Sequence, residues 1–350
     1  MAASPRAVVA GCALATLLPA LAGCSTIGSG GSDADGAVVL LTHDSFYLPE
    51  DVLDAFEAET GIAIDHRPQG DAGQLVTGLA LSRDRPIGDV VFGIDNTFAS
   101  RAVAEDVLEP YEASTAVPQR FAYPGDPVLT PIAYGDVCLN IDTRYFADRG
   151  IPEPTSLGDL ADPRYRDLAV VQNPATSSPG LAFLLATIEE HGEDGWQDYW
   201  TRLRDNGVLV VDGWTQAYTV EFSGSAGEGP RPIVVSYATS PPAEAGPDGA
   251  PPPTRALPDT CFRQIEYAGI VAGTANADAA GELIEFLLSP AVQEALPESM
   301  YVLPVVEGTP LPEAFDLHAP RPAEPMSMDP GRIGENRDEW ISQWRALMLG

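Results

Sequence analysis

Trp214 and Tyr218 stand four residues apart in "VVDGWTQAYTVEFSG", directly after an apolar run. At that spacing two rings share one face of a helical turn. They can fill a core, or they can wall a slot for a flat or cationic ligand. Other residues with suitable chemistry sit where apolar runs end. Asp44 and Ser45 in "THDSF", Asp95 and Asn96 in "GIDN", and Tyr237 in "VVSYATSP" are of this kind. A carboxylate there can pair with a cation or accept from an amino group; it can equally cap a following helix. Thr176, Ser177, Ser178 and the Gly180 N–H in "QNPATSSPG" gather donors at a helix start, which favours anions. Ser178 followed by Pro179 also reads as an ordinary N-cap and first helical residue. Asp212 beside Trp214 can add charge or be solvated. There is no P-loop, no G-x-S-x-G elbow and no internal repeat. The four His are scattered, and no Cys/His cluster has zinc spacing. No metal, cofactor or catalytic group is expected.

These residues need strand ends to hold them. "AVVLLTHDSF" reads as a buried strand with a polar end, and "LPEDVLDAFEAETG" as a helix stopped by Gly61. "IAIDHRP" is a second strand, "DAGQLVTGLALSRDRP" a helix and "GDVVFGIDN" a third strand. This alternation predicts a parallel sheet with helices on both faces. Ligands of such sheets bind beyond the carboxyl ends of the strands. "TPIAYGDVCLNID" and "CFRQIEYAGIVAG" are long enough to cross between two α/β halves, a hinged clamp. "GVLVVDGW" and "PIVVSYATSP" add strands, and "RDEWISQWRALM" closes the chain as a helix.

The opening "MAASPRAVVAGCALATLLPALAGC" reads as an export signal over 1–23. Its "LAGC" resembles the bacterial lipobox, which implies a lipid on Cys24. Residues 24–36 are small and polar, a flexible tether to the outer face of the cytoplasmic membrane. The 350-residue chain has 51 acidic and 19 basic residues, a formal charge of −32, with no lysine. That field argues against nucleic acid and favours a cationic ligand. With Cys12 in the signal and Cys24 lipidated, Cys138 and Cys261 remain, an even pair expected to form a disulfide outside the cytoplasm.

Taken in order, "THDSF", "VVFGIDN", "QNPATSSPGLAFLL", "DGWTQAY", "VVSYATSP" and "FLLSPAVQEALPESMYVLPV" resemble the thiamine-binding proteins of bacterial ABC importers. The resemblance spans about Val38 to Arg345 and implies an α/β, two-lobed type II periplasmic-binding-protein fold with a ligand cleft between lobes. The lobes are expected at 37–138 plus 262–305 and at 139–261 plus 306–350. It implies thiamine or its phosphate esters as ligand, ABC permease subunits as partners, and a monomer. Trp214 and Tyr237 match positions where the family places stacking rings, with Tyr218 as support. Two departures stand out. His43 replaces a Tyr before "DSF", and Tyr301 is the one aromatic left in "PESMYVLPV". A thinner stacking box leaves room for another cationic heterocycle.

Two other functions compete. Polyamine binders join acidic and aromatic groups in the same fold. Thiaminase I resembles the fold too and uses a Cys nucleophile; Cys138 is the candidate here, though no motif supplies a base. Iron-binding relatives carry adjacent tyrosines, and Ala238 breaks that pair after Tyr237.

Overall fold

The computed structural model describes residues 36–125, 127–225, 227–246 and 250–350. The export signal, Cys24 and the tether up to residue 35 lie outside the described residues. Among those described, no helix is long and apolar enough to cross a membrane.

Eleven strands form one sheet: β1 (Ala37–Thr42), β2 (Ala63–Pro68), β3 (Val90–Asp95), β4 (Leu108–Glu109), β5 (Thr130–Asp142), β6 (Ala169–Gln172), β7 (Leu209–Val211), β8 (Ile233–Tyr237), β9 (Thr254–Ala256), β10 (Phe262–Val271) and β11 (Leu303–Pro304). The main path runs β2-β1-β3-β10-β5-β8-β6-β7. Both ends are parallel: β1 pairs with β2 and β3, and β6 with β7 and β8. The middle is antiparallel, because β10 pairs with both β3 and β5, and β5 with β8. The two expected crossing strands are therefore the seam between two α/β halves. β10 shifts register at Tyr267/Ala268 against β3 and at Glu266/Tyr267 against β5. Such irregularities bend a strand. Cys138 on β5 and Cys261 before β10 are joined by a disulfide across 123 residues of chain.

The strands are apolar for a reason that the topology makes plain. Every residue of β3 and of β6 is buried, as parallel strands covered on both faces must be. The C-terminal helix Pro330–Met348 packs on the helix Trp196–Asp205 through Trp344, which meets Trp200 edge-on at 5.5 Å. Trp200 Nε1 donates to Thr187 Oγ1 at 2.9 Å. Trp196, Trp200, Trp340 and Trp344 are all at most 3% exposed, so four of the five tryptophans are core.

Candidate functional site: an aromatic and acidic cleft at the strand ends

The parallel strands of both halves end toward one place. β1 ends at Thr42 and hands over to His43, Asp44 and Ser45; β7 ends at Val211 and leads to Gly213 and Trp214. Trp214 opens a helical turn (Trp214–Gln216) that runs straight into a π turn (Ala217–Glu221). The helical spacing places the Trp214 ring flat on Tyr218, 4.9 Å apart and 11° from parallel. Tyr237 and Tyr301 lean on Trp214 at 6.4 and 5.9 Å, tilted by 54° and 62°. Tyr301 follows the helix Pro290–Met300 in a left-handed conformation (φ 57°), costly for a non-glycine residue. Thr239 Oγ1 holds its carbonyl by a hydrogen bond. Trp214 Nε1 donates to Ser236 Oγ at 2.9 Å, and Ser236 Oγ lies 2.8 Å from Ser240 Oγ. Unlike the other tryptophans, Trp214 is only partly buried.

These rings wall a cavity of about 230 Å³. His43, Ser45, Trp214, Tyr218, Tyr237 and Tyr301, all expected in the site, line it. Its carboxylates are Glu244 and Glu266, and no arginine is among its lining residues. Glu244 Oε1 accepts from the Tyr218 hydroxyl at 3.0 Å. Burial raises the Glu244 pKa, against the pull of that hydrogen bond. Glu266, on β10, is raised further, to about 8, by burial first and then by Asp95 and Asp71. Burial lowers His43 to about 4, so its ring is neutral at pH 7. The room for that ring comes from Gly93, whose φ is +104°; a Cβ there would lie 2.3 Å from His43 Cδ2.

The remaining expected residues are placed around the cavity rather than on it. Asp95 is fully buried and outside the cavity lining, accepting from Thr97 and from the Phe98 N–H at 3.0 Å. These bonds close the turn before the helix Ala99–Ala104; burial lifts the Asp95 pKa to about 6. Asn96 ties to β10, accepting from Ile265 N and donating to Arg263 O. Asp44 is exposed, with its N–H on Gly70 O. The acids that line the cavity are Glu244 and Glu266, while Asp44 and Asp95 lie outside its lining. Thr176 Oγ1 donates to Asp212 O at 2.6 Å. The helix after it spans Ser178–His191, so the capping position falls on Ser177, one residue earlier than read from the sequence. Gly180 packs against the backbone of Gln172 and Asn173, too close for a side chain.

Asp71 opens a helix in the sequence pattern, and in the structure it also joins the two halves. It caps the helix Ala72–Ser82, with Ala72 N donating to Oδ1 at 2.7 Å. From the other half, Ser178 N donates to Oδ1 at 3.3 Å and Trp214 N to Oδ2 at 3.0 Å. Gly73 N donates to Thr176 O at 2.8 Å beside it, and a Cβ on Gly73 would sit 2.5 Å from Ala175 O. Glu266 had a readable signal, as the one acid in the apolar run "QIEYAGIVAG". Glu244 in "SPPAEA" had none. The Cys138–Cys261 bridge leaves no thiol at Cys138 for a nucleophile. Among the described residues, no group of His, Cys, Asp or Glu is set to hold a metal ion.

A family model described as bacterial extracellular solute-binding protein matches residues 85–329. The thiamine-binding periplasmic protein of Escherichia coli is 27% identical over 323 residues, covering 89% of this chain and 93% of that protein. The protein of the same name from Brucella abortus is 26% identical over 324 residues, covering 90% and 93%. A solved periplasmic thiamin binding protein superposes with a TM-score of 0.78 at 26% identity, covering 89% of this chain and 96% of that one. The two halves joined by β5 and β10 are thus the two lobes of a type II periplasmic-binding-protein fold, and the cavity lies in the cleft between them.

Proposed function

This chain belongs to the bacterial extracellular solute-binding protein family, and we propose that it binds thiamine between its lobes and delivers it to an ABC permease. The observation that carries this reading is one cavity with Trp214, three tyrosines, two carboxyl groups and no arginine. Thiamine offers a flat, permanently cationic thiazolium and a second flat ring. The half-exposed Trp214 face suits such a cation, worth roughly 0.5–2 kcal/mol. The relatives named for thiamine binding support the same ligand.

A phosphate ester would extend toward Thr176, Ser177, Ser178 and the Gly180 N–H. There the Asp71 carboxyl already takes the Ser178 N–H, and it repels a second anion. Free thiamine is therefore expected to bind more tightly than thiamine phosphate. The lobes 37–138 plus 262–305 and 139–261 plus 306–350 would hinge on β5 and β10. The protein acts as a monomer, held outside the cytoplasmic membrane by a lipid on Cys24. Replacing Cys24 with Ser should release it from membranes or block its processing.

Calorimetric titration of the mature protein with thiamine, in competition with thiamine phosphate and spermidine, tests the ligand. Mass spectrometry of the small molecule that co-purifies gives an independent answer. Spermidine displacing thiamine at equal concentration would transfer the site to the polyamines.

A further inference from the structure

The polar end of the cleft holds a carboxyl group with one oxygen unused by the fold. Glu266 is 4% exposed, in a strand that is otherwise mostly apolar. Its Oε1 accepts from Gln264 Nε2 at 3.1 Å, and Gln264 is itself positioned by the Tyr237 hydroxyl at 3.1 Å. Its Oε2 is buried with no hydrogen-bond partner in the protein. His43 Nε2, also buried without a hydrogen bond, lies 3.9 Å from Glu266 Oε1. The imidazole is anchored at its other nitrogen, 2.9 Å from Ser45 Oγ. Both residues line the cavity walled by Trp214 and Tyr237. Buried polar atoms left without partners are uncommon and call for an explanation. Here two of them belong to residues that line the same cavity.

We propose that Glu266, in its protonated form, anchors the aminopyrimidine ring of thiamine by a two-point pair: Oε2–H donates to the ring nitrogen beside the exocyclic amine, and that amine donates to Oε1. The inference rests on the thiamine reading given above. The edge of an aminopyrimidine presents an acceptor next to a donor. A carboxylic acid presents the complement, whereas a carboxylate presents two acceptors and opposes the ring nitrogen with a lone pair. Oε1 can accept a second hydrogen bond beside that of Gln264. The thiazolium is left for the Trp214 face.

The surroundings keep the proton on. Burial and the nearby Asp95 and Asp71 carboxylates raise the group to about 8. His43, Tyr237 and Asp95, which face it, hold their charge between pH 7 and 9. His43 is lowered to about 4 by burial, with Asp44 opposing and His66 adding, and is neutral across this range. The Tyr237 phenol is held well above its ordinary range by burial and by Glu266. Asp95, at about 6, is largely ionised at the start of that window. Below pH 8 the proton is in place and affinity is full. Above it, each pH unit requires a proton to be taken up and should cost about tenfold in affinity.

Thiamine is titrated calorimetrically into the mature full-length protein from pH 6.5 to 9.0, for the parent, Glu266→Gln and Glu266→Ala, with circular dichroism confirming the fold of each. The parent should bind with constant affinity to about pH 8 and about tenfold more weakly at pH 9. Glu266→Ala should lose more than tenfold at pH 7. Glu266→Gln should recover most of that loss and abolish the alkaline fall, because an amide offers the same donor and acceptor. Should a variant misfold, the parent alone decides: titrations in buffers of different ionisation enthalpy should show no proton uptake at pH 7 and nearly one proton at pH 9. Affinity that is flat, or that rises through pH 8 with Gln as weak as Ala, would identify Glu266 as an inert or purely anionic group and overturn the anchor while leaving thiamine binding intact. A parent that binds no thiamine at any pH would overturn the ligand reading and this anchor with it.

Discussion

Replacing Trp214 with Ala separates a ligand wall from a core residue, because the two roles predict different losses. Trp214 is half-buried, its ring stacks at 4.9 Å on Tyr218, and the indole N–H donates to Ser236. A ligand cation on its open face loses roughly 0.5–2 kcal/mol of cation–π attraction when the ring goes. It also loses the apolar surface that the ring covers, at about 25 cal/mol per Å². The sum is about 1–3 kcal/mol of binding, or roughly 5- to 150-fold in Kd. Folding should suffer less than at a core position. Trp200 supplies the internal comparison: it is fully buried, meets Trp344 edge-on and bonds Thr187. Its truncation should cost about 3–5 kcal/mol of stability. Calorimetric titration with thiamine and thermal melts of Trp214→Ala and Trp200→Ala measure both quantities. Trp214→Phe keeps a ring face but cannot reach Ser236, so it should fall between parent and Ala in affinity. A Trp214→Ala protein that binds thiamine like the parent, or one destabilised as much as Trp200→Ala, refutes the assignment of Trp214 to the wall.

Gly73→Ala should weaken thiamine binding with little change in melting temperature, because its methyl would sit 2.5 Å from Ala175 O at the contact between lobes; parental affinity would show that this contact is dispensable. The unliganded protein should lose thermal stability as pH rises from about 4 to 8. Asp95 and Glu266 titrate at about 6 and about 8 when folded, above 3.8 and 4.5, so the folded state binds more protons in that window. Their contribution is complete below about pH 4 and is lost as pH rises through 6 and 8. Glu266→Gln should flatten the limb between pH 6 and 8, and an unchanged limb would place the dependence elsewhere. Reducing the Cys138–Cys261 bridge, which closes 123 residues of chain, should lower stability by about 2–5 kcal/mol. An identical denaturation midpoint with and without reductant, after thiol titration has confirmed reduction, would contradict that.

Strand positions were legible where periodicity and length decided them. "TPIAYGDVCLNID" is β5 residue for residue, because a 13-residue apolar run with no helical period has few other uses. The rings of the site were legible for a related reason. Trp214 and Tyr218 share a face at helical spacing, and the turn they form stacks them. The acids were not. Asp44 and Asp95 end parallel strands, but the backbone after a strand end turns into a helix, and the carboxyl of Asp95 is drawn to the N–H groups of that helix start. Glu266 reaches the cleft from the middle of a crossing strand, where a register shift at Glu266/Tyr267 interrupts the ladder with β5. No local pattern encodes that shift. Asp71 was hidden for the opposite reason: its capping role explains it fully within one helix, and its bonds to Ser178 and Trp214 appear only once the lobes meet.

The charge of the chain and the charge of the cleft are separate matters. A net −32 spread over a solvated surface is screened within about 10 Å at ordinary salt and does little to choose a ligand. Inside the cleft the groups are few and dry, and each left unpartnered costs about 1–3 kcal/mol. Other buried polar atoms also lack partners, among them Asn140 Oδ1 and Trp196 Nε1. Neither residue lines the aromatic cavity. His43 Nε2 and Glu266 Oε2 differ because both belong to residues that line one cavity walled by aromatic rings. A ligand carrying a donor and an acceptor on one edge of a flat ring would satisfy Glu266 and cover the rings in a single pose. A polyamine offers donors alone, and ferric ion would need oxygen ligands that Ala238 and the stacked Tyr218 do not provide. The orphaned atoms, more than the overall acidity, are what fit this cleft to an aminopyrimidine.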